Sequence, residues 1–187
     1  MTRHPQHNAP AARRCFFALA VPEKVQQQAI NWLQGLPTEA RSRQVPKQNH
    51  HVTLAFIGNV SAAEIQDLIN AINGWQLSAF ELCLDRPGLL GNSHYLTWQA
   101  SQISQAHQQL VTTLRTLCRT TLGAACPVDD FEYLAHLTLR RHSHLGASLP
   151  SFGAVQWHCQ QFALYQSDLT GDQAQYQVIK SWPLSTY

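Results

Sequence analysis

Apolar residues along this chain fall into two patterns: short unbroken or alternating runs, and longer stretches in which they recur three or four positions apart. The first run, Cys15-Phe16-Phe17-Ala18-Leu19-Ala20, reads as a buried strand. Pro22 then opens a helix with Val25, Ala29, Ile30 and Leu33 on one face, and Gly35 ends it. A polar stretch from Pro37 to Asn49 leads to a strand from His51 to Ile57, closed by Gly58. Ser61 and Glu64 form a capping box ahead of Ile65, Leu68, Ile69 and Ile72, a second helix that ends near Gly74. Strands are predicted for Ala79 to Asp85 and His94 to Ala100, with Arg86-Pro87-Gly88 and Gly91-Asn92 as turn residues between them. A long helix comes next, with the stripe Ile103, Leu110, Leu114, Leu117 and Cys118, ending near Gly123. The loop Ala124 to Asp130 precedes a strand around Leu134 to Arg140. A Gly/Ser/Pro loop then runs to Gly153, and strands near Phe162 to Gln166 and Gln175 to Ile179 close the chain. Strands and helices mix without regular βα alternation and without a Gly-rich phosphate loop, which predicts an α+β fold with antiparallel sheets.

Composition narrows the class. With 187 residues, 44% of them hydrophobic and only 13% charged, the chain can bury one sizeable core and does not read as disordered, collagenous or coiled-coil. One domain over 13–187 is expected, after an Arg/His/Pro/Gln-rich tail, 1–12, that reads as disordered. The net charge of +2 creates no strong field toward duplex DNA or anionic membrane, so any nucleic-acid contact must be local. Cys15, Cys83, Cys118, Cys126 and Cys159 form no C-x-x-C pair and read as reduced residues of a cytosolic protein. The start lacks the apolar region of a signal peptide, and the longest apolar run, Cys15 to Val21, is too short to span a bilayer. A soluble cytoplasmic protein is the expectation, with a monomer as the default state.

The chemistry sits in a repeat. His51-Val52-Thr53-Leu54 and His136-Leu137-Thr138-Leu139 are the same word, each in a strand-like segment. With ten His, 12 Thr and 23 Leu in the chain, chance would place roughly 0.08 such words here. Strand alternation puts His51, Thr53 and Ala55 on one face and Val52, Leu54 and Phe56 on the other; His136 and Thr138 pair likewise against Leu137 and Leu139. An imidazole can give or take a proton near neutrality, and a Thr hydroxyl can donate to an anionic oxygen. Two facing copies supply an acid, a base and two donors, a set suited to in-line displacement at a phosphodiester without a metal.

These residues resemble the signature of the 2H phosphoesterase superfamily and, within it, the bacterial RNA 2′,3′-cyclic phosphodiesterase family, historically called 2′-5′ RNA ligase. The resemblance covers nearly the whole chain. It includes Arg14 to Leu19 with Val21-Pro22, the stretch from Val45-Pro46 through Asn49-His50-His51 to Gly58, and Tyr133 to Arg141. It implies two pseudo-symmetric lobes of antiparallel sheet with helices outside and an active-site cleft between them. It further implies His51 and His136 as the catalytic pair, Thr53 and Thr138 as phosphate-binding hydroxyls, Arg141 as a phosphate contact and Phe56 as an aromatic that stacks on a base. The chain departs from the family pattern at Ala135, where Pro is usual, and at Tyr133, a mild change of the usual aromatic. Alternation alone would instead put Arg140 on the His136 face.

The implied activity is metal- and cofactor-independent opening of a 2′,3′-cyclic phosphate at an RNA end to a 2′-phosphate, with His51 as acid to O3′ and His136 as base to water. Two alternatives stay open at this point: ATP-independent 2′-5′ ligation in the same site, and an RNA-end-binding module that does not cleave. His50, next to His51, reads as structural or exposed. His142 and His144 read as part of a solvated basic loop because no further Cys/His/Asp cluster completes a metal shell. Trp75, Trp98 and Trp157 read as packing residues, and Arg41, Arg43 and Lys47 as a solvated polar loop.

Overall fold

The computed structural model describes residues 12–92, 94–123, 126–128, 132–145, 149–169 and 174–185. In chain order its strands and helices are β1 (Arg13–Ala20), α1 (Glu23–Gln34), β2 (Arg43–Gln44), β3 (His51–Val60), α2 (Ala62–Ile72), β4 (Phe80–Leu84), β5 (Arg86–Leu90), β6 (Tyr95–Gln99), α3 (Gln105–Leu122), β7 (His136–Arg141), β8 (Val155–Cys159), β9 (Gln161–Asp168) and β10 (Gln175–Pro183). The order β10-β9-β1-β3-β7-β6-β5, with the short β2 also on β7, makes one antiparallel sheet, and β4 and β8 make a separate two-stranded one. This is the expected α+β class. The two motif strands, β3 and β7, are neighbours in the large sheet, joined by the pair Val52 and Leu137. That single pair joins two halves of the sheet, with β1, β9 and β10 beyond β3 and β2, β5 and β6 on the side of β7.

Alternation explains why these strands can share a sheet. Val52, Leu54, Leu137 and Leu139 are all almost completely buried, while the His and Thr between them are half-buried. One face of each motif strand therefore closes the core and the other carries polar groups. The core is continuous: Phe17, Leu19, Leu68, Leu84, Leu96, Leu110, Leu114 and Trp98 belong to one cluster. α2 packs on α3, and α3 packs on β3 and β4. α1 enters the same core through Val25, Ala29 and Leu33, and its Trp32 meets Trp98 edge-on at 5.7 Å. The capping box on α2 is formed, with Ser61 Oγ accepting from the Glu64 N–H and Glu64 accepting from the Ser61 N–H.

Two expectations change and two features are added. β3 does not stop at Gly58: that residue takes a positive φ of 74°, lets Ile57 slip out of register with β1, and the strand continues to Val60. Arg86-Pro87-Gly88 is strand β5, not a turn. It lies at the sheet edge, where Pro is tolerated, and a Cβ at Gly88 would sit 2.2 Å from the end of the Gln99 side chain, which would have to shift to admit it. Val155–Cys159, between the loop to Gly153 and the strand predicted near Phe162, is a further strand; its alternating Val155, Trp157 and Cys159 are buried against β4. Finally, His107 and Val111 join the buried stripe of α3. The tail 1–11 and most of the 124–130 loop lie outside the described residues. No described helix is long and apolar enough to cross a membrane, and all five cysteines are free, with Cys15, Cys118 and Cys159 buried.

A buried ion pair ties the end of β7 to the chain after α1. Arg140 donates to Glu39 at 3.1 Å and to the Pro37 carbonyl at 3.1 Å, while Glu39 also accepts from Ser143 Oγ at 2.6 Å and from the His144 N–H. Burial, the largest single effect, pushes the Glu39 carboxyl up, and the Ser143, His144 and Arg140 bonds with the Arg140 charge together outweigh it and hold the group below the ordinary carboxylate range. Glu39→Ala leaves the Arg140 guanidinium buried beside one remaining carbonyl. The expected loss is about 3 kcal/mol in urea unfolding, and a loss below about 1 kcal/mol would show that the pair does not anchor this strand end.

Candidate active site

Each motif histidine is set by the same local bond. His51 Nδ1 lies 2.7 Å from the Asn49 carbonyl, and His136 Nδ1 lies 2.8 Å from the Leu134 carbonyl. A carbonyl only accepts, so each ring carries its proton on Nδ1 when neutral and leaves the Nε2 lone pair for another partner. The first carbonyl ends a 3-10 turn, Lys47–Asn49, that Pro46 opens. Asn49 is itself fixed there by its side-chain amide, which donates to the Ala174 carbonyl at 2.5 Å. The second carbonyl precedes β7 on a lead-in whose next residue, Ala135, accepts through its carbonyl from the Ala100 N–H at 3.0 Å.

The strand irregularity after each histidine is repeated too. On β3, Phe17 pairs with Ala55 and Ala18 with Thr53, so Leu54 has no partner across the strands. On β7, Thr97 pairs with Thr138 and Leu96 with Arg140, so Leu139 has none. In both copies the fourth residue of His-x-Thr-Leu is the extra one, and the alternation behind it is reversed. Ala55 therefore turns to the core face, and Phe56, paired with Phe16, joins the face of His51 and Thr53. Arg140 is likewise buried with Leu96, and Arg141 joins the face of His136 and Thr138. Simple period-two counting fails at both positions for the same reason.

Phe16 lies against the His51 ring at 4.9 Å, and Tyr176 meets that ring edge-on at 5.1 Å. Arg141 donates to the Tyr176 hydroxyl at 3.3 Å, which holds the guanidinium over the same face. Arg14 stands 4.7 Å from the centre of the Phe56 ring. Thr53, Phe56 and His136 line a common cavity of about 400 Å³ with Tyr133 and Glu132. Burial holds the His51 pKa down to about 4, against the Asn49 bond that raises it, and the charges of His136 and Arg141 push in the same downward direction. His136 is lowered as well, by burial, with the Leu134 bond opposing.

Of the predicted site residues, His51, Thr53, Phe56, His136, Thr138 and Arg141 thus share one face of the sheet. His50 is buried, and Arg43 pairs with Arg141 as part of β2. Sequence reasoning missed Phe16, Arg14 and Tyr176; only the strand register brings them to the histidines, and no local pattern announces it. Among the described residues no three His, Cys, Asp or Glu side chains group as metal ligands.

The chain is similar to known proteins in sequence and fold. The family model described as LigT like Phosphoesterase matches residues 19–95. The RNA 2′,3′-cyclic phosphodiesterase of Escherichia coli is 29% identical over 176 residues, 92% of this chain and 97% of that protein. The protein of the same name from Thermus thermophilus is 25% identical over 182 residues, 91% of this chain and 90% of its own length. Among solved structures, E. coli LigT complexed with 3′-AMP superposes with a TM-score of 0.85 at 29% identity, covering 93% of this chain and 99% of LigT. Family match, relatives aligned over nearly their whole length and fold thus agree in what this chain is similar to: the LigT-like phosphoesterases.

Proposed function

We propose that this protein is an RNA 2′,3′-cyclic phosphodiesterase that opens the cyclic phosphate at an RNA end to a 2′-phosphate, using His51 and His136 as acid and base and no metal. The observation that carries the reading is the doubled presentation of Nε2: two imidazoles, each tied through Nδ1 to a carbonyl, on adjacent strands of one face with Thr53, Thr138 and Arg141. The full-length relatives named RNA 2′,3′-cyclic phosphodiesterase support the substrate class. Five free cysteines fit a cytoplasmic setting.

His136 takes a proton from water as its oxygen attacks phosphorus. The P–O3′ bond breaks opposite the attack, and His51 gives its proton to the departing O3′, leaving a 2′-phosphate and a 3′-hydroxyl. Thr53 and Thr138 donate to the non-bridging oxygens, and Arg141 offsets the charge that builds on them. Phe56 offers a flat apolar surface for the base, with Arg14 behind it. Exchange of protons with solvent restores both imidazoles.

Turnover of adenosine 2′,3′-cyclic phosphate in EDTA tests the reading. Activity should persist in the chelator, and His51→Ala or His136→Ala should each lose about 10²–10⁴ in kcat. A zinc-dependent hydrolase would stop in that buffer, and a protein that only binds RNA ends would show no turnover.

The lowered pKa values set the pH dependence. The competent free protein has one proton shared between the two rings, and both rings hold protons less well than an ordinary histidine. The kcat/KM profile should be bell-shaped, lost on the acid side as both rings protonate and on the alkaline side as the last proton leaves. Its maximum should lie below about pH 6.5, and bound phosphate anion, which favours imidazolium, should move the kcat profile to higher pH. A rate flat from about pH 5 to 9 would argue against proton transfer by these groups.

A further inference from the structure

His107 takes no part in the mechanism above, yet it is fully buried in the first turn of α3. Ser104 Oγ caps that turn by accepting from the His107 N–H at 3.2 Å, and the ring stacks on Phe80 of β4 with centroids 4.5 Å apart. Burial keeps the ring neutral by holding its pKa down to about 4. Among the described residues its Nδ1 has no hydrogen-bond partner, while its Nε2 lies 2.9 Å from the Tyr133 hydroxyl. A phenylalanine would fill this space and stack on Phe80 without an underused buried nitrogen. Core packing therefore does not explain an imidazole here, whereas the bond to Tyr133 does.

Tyr133 stands next to Leu134, whose carbonyl accepts the Nδ1 proton of His136. The two copies of the motif hold this carbonyl differently. Before His51 it ends a 3-10 turn that begins at Pro46 and is closed by Asn49 N–H to Pro46 and His50 N–H to Lys47. Before His136 the lead-in 132–135 forms neither a turn nor a strand, and Ala135 places no ring constraint on it. Tyr133 ties it from the side, with its ring edge-on to His107 at 5.4 Å and Arg115 over its face at 5.5 Å.

We propose that His107 is a positioning residue for His136: by holding the Tyr133 hydroxyl it fixes the Leu134 carbonyl, and that carbonyl fixes the tautomer and ring plane of His136. This role needs no contact between His107 or Tyr133 and the substrate, although Tyr133 also lines the cavity with Thr53, Phe56 and His136. The proposal rests on the catalytic role given to His136 above.

Tyr133→Phe removes one hydroxyl and keeps the ring, and His107→Phe removes the partner nitrogen. Each variant should lose about tenfold in kcat with KM within about twofold, and the double variant should be no slower than the slower single one. Long-range ¹H–¹⁵N spectra of the full chain at pH 8, where both site histidines are neutral, provide a readout that general loosening would not give. In the parent, His51 and His136 should both be pure Nδ1–H tautomers; in Tyr133→Phe, His136 should become a mixture while His51 stays unchanged. A His136 that remains pure Nδ1–H, two histidines that lose their tautomer together, or an unchanged kcat would each overturn the proposal. If His107→Phe does not fold, Tyr133→Phe alone decides it. Full activity in His136→Ala would defeat the role of His136 in turnover, and the tautomer measurement would still report whether Tyr133 orients its ring.

Discussion

The bond from Nδ1–H to the carbonyl two residues back decides what each motif histidine can do. It commits the neutral ring to one tautomer, points Nε2 away from its own strand, and opposes the fall in pKa that burial imposes. Without it a half-buried imidazole could rotate or exchange tautomers, and two such rings would rarely meet one phosphate in complementary states. Much of the surrounding structure serves the two carbonyls: Pro46, the 3-10 turn and Asn49 on one side, Tyr133 and His107 on the other.

A second constraint is the one-residue slip after each motif. A regular strand cannot bring His, Thr and the residue five places after His to a common face, because five is odd. Leaving Leu54 without a partner on β1 and Leu139 without one on β6 solves this in both copies and keeps those leucines in the core. The same slip sends Arg140 inward to Glu39 and leaves Arg141 outward at the Tyr176 hydroxyl. Two adjacent arginines thereby acquire opposite jobs, one anchoring the strand and one facing the site.

Much of this was legible in the sequence, for physical reasons. The His-x-Thr-Leu repeat, the capping box Ser61/Glu64 and the helical spacing of Leu110, Leu114 and Cys118 are local signals. Local hydrogen bonding and amphipathicity do produce the elements they mark. The slips were not legible, because Leu54 and Leu139 are apolar and buried in either register; only the partner strand reveals that they are extra. Alternation therefore misassigned Ala55, Phe56 and Arg140, whereas the family resemblance favoured Arg141. Strand β5 was hidden by Pro87 and Gly88, which mark a turn in isolation and an edge strand in context. Tyr176, Phe16 and Arg14 reach the site from strands paired far along the chain, information that residue spacing does not carry.

The central claim is that the two imidazoles divide one reaction, His136 activating water and His51 protonating O3′. A cyclic substrate with sulfur in place of O3′ tests that division, because a thiolate leaves with little help from an acid. Rates of His51→Ala and His136→Ala should be compared on the sulfur and oxygen substrates. The expected result is substantial rescue of His51→Ala and almost none of His136→Ala. Equal rescue of both variants, or rescue of neither, would contradict the division of roles.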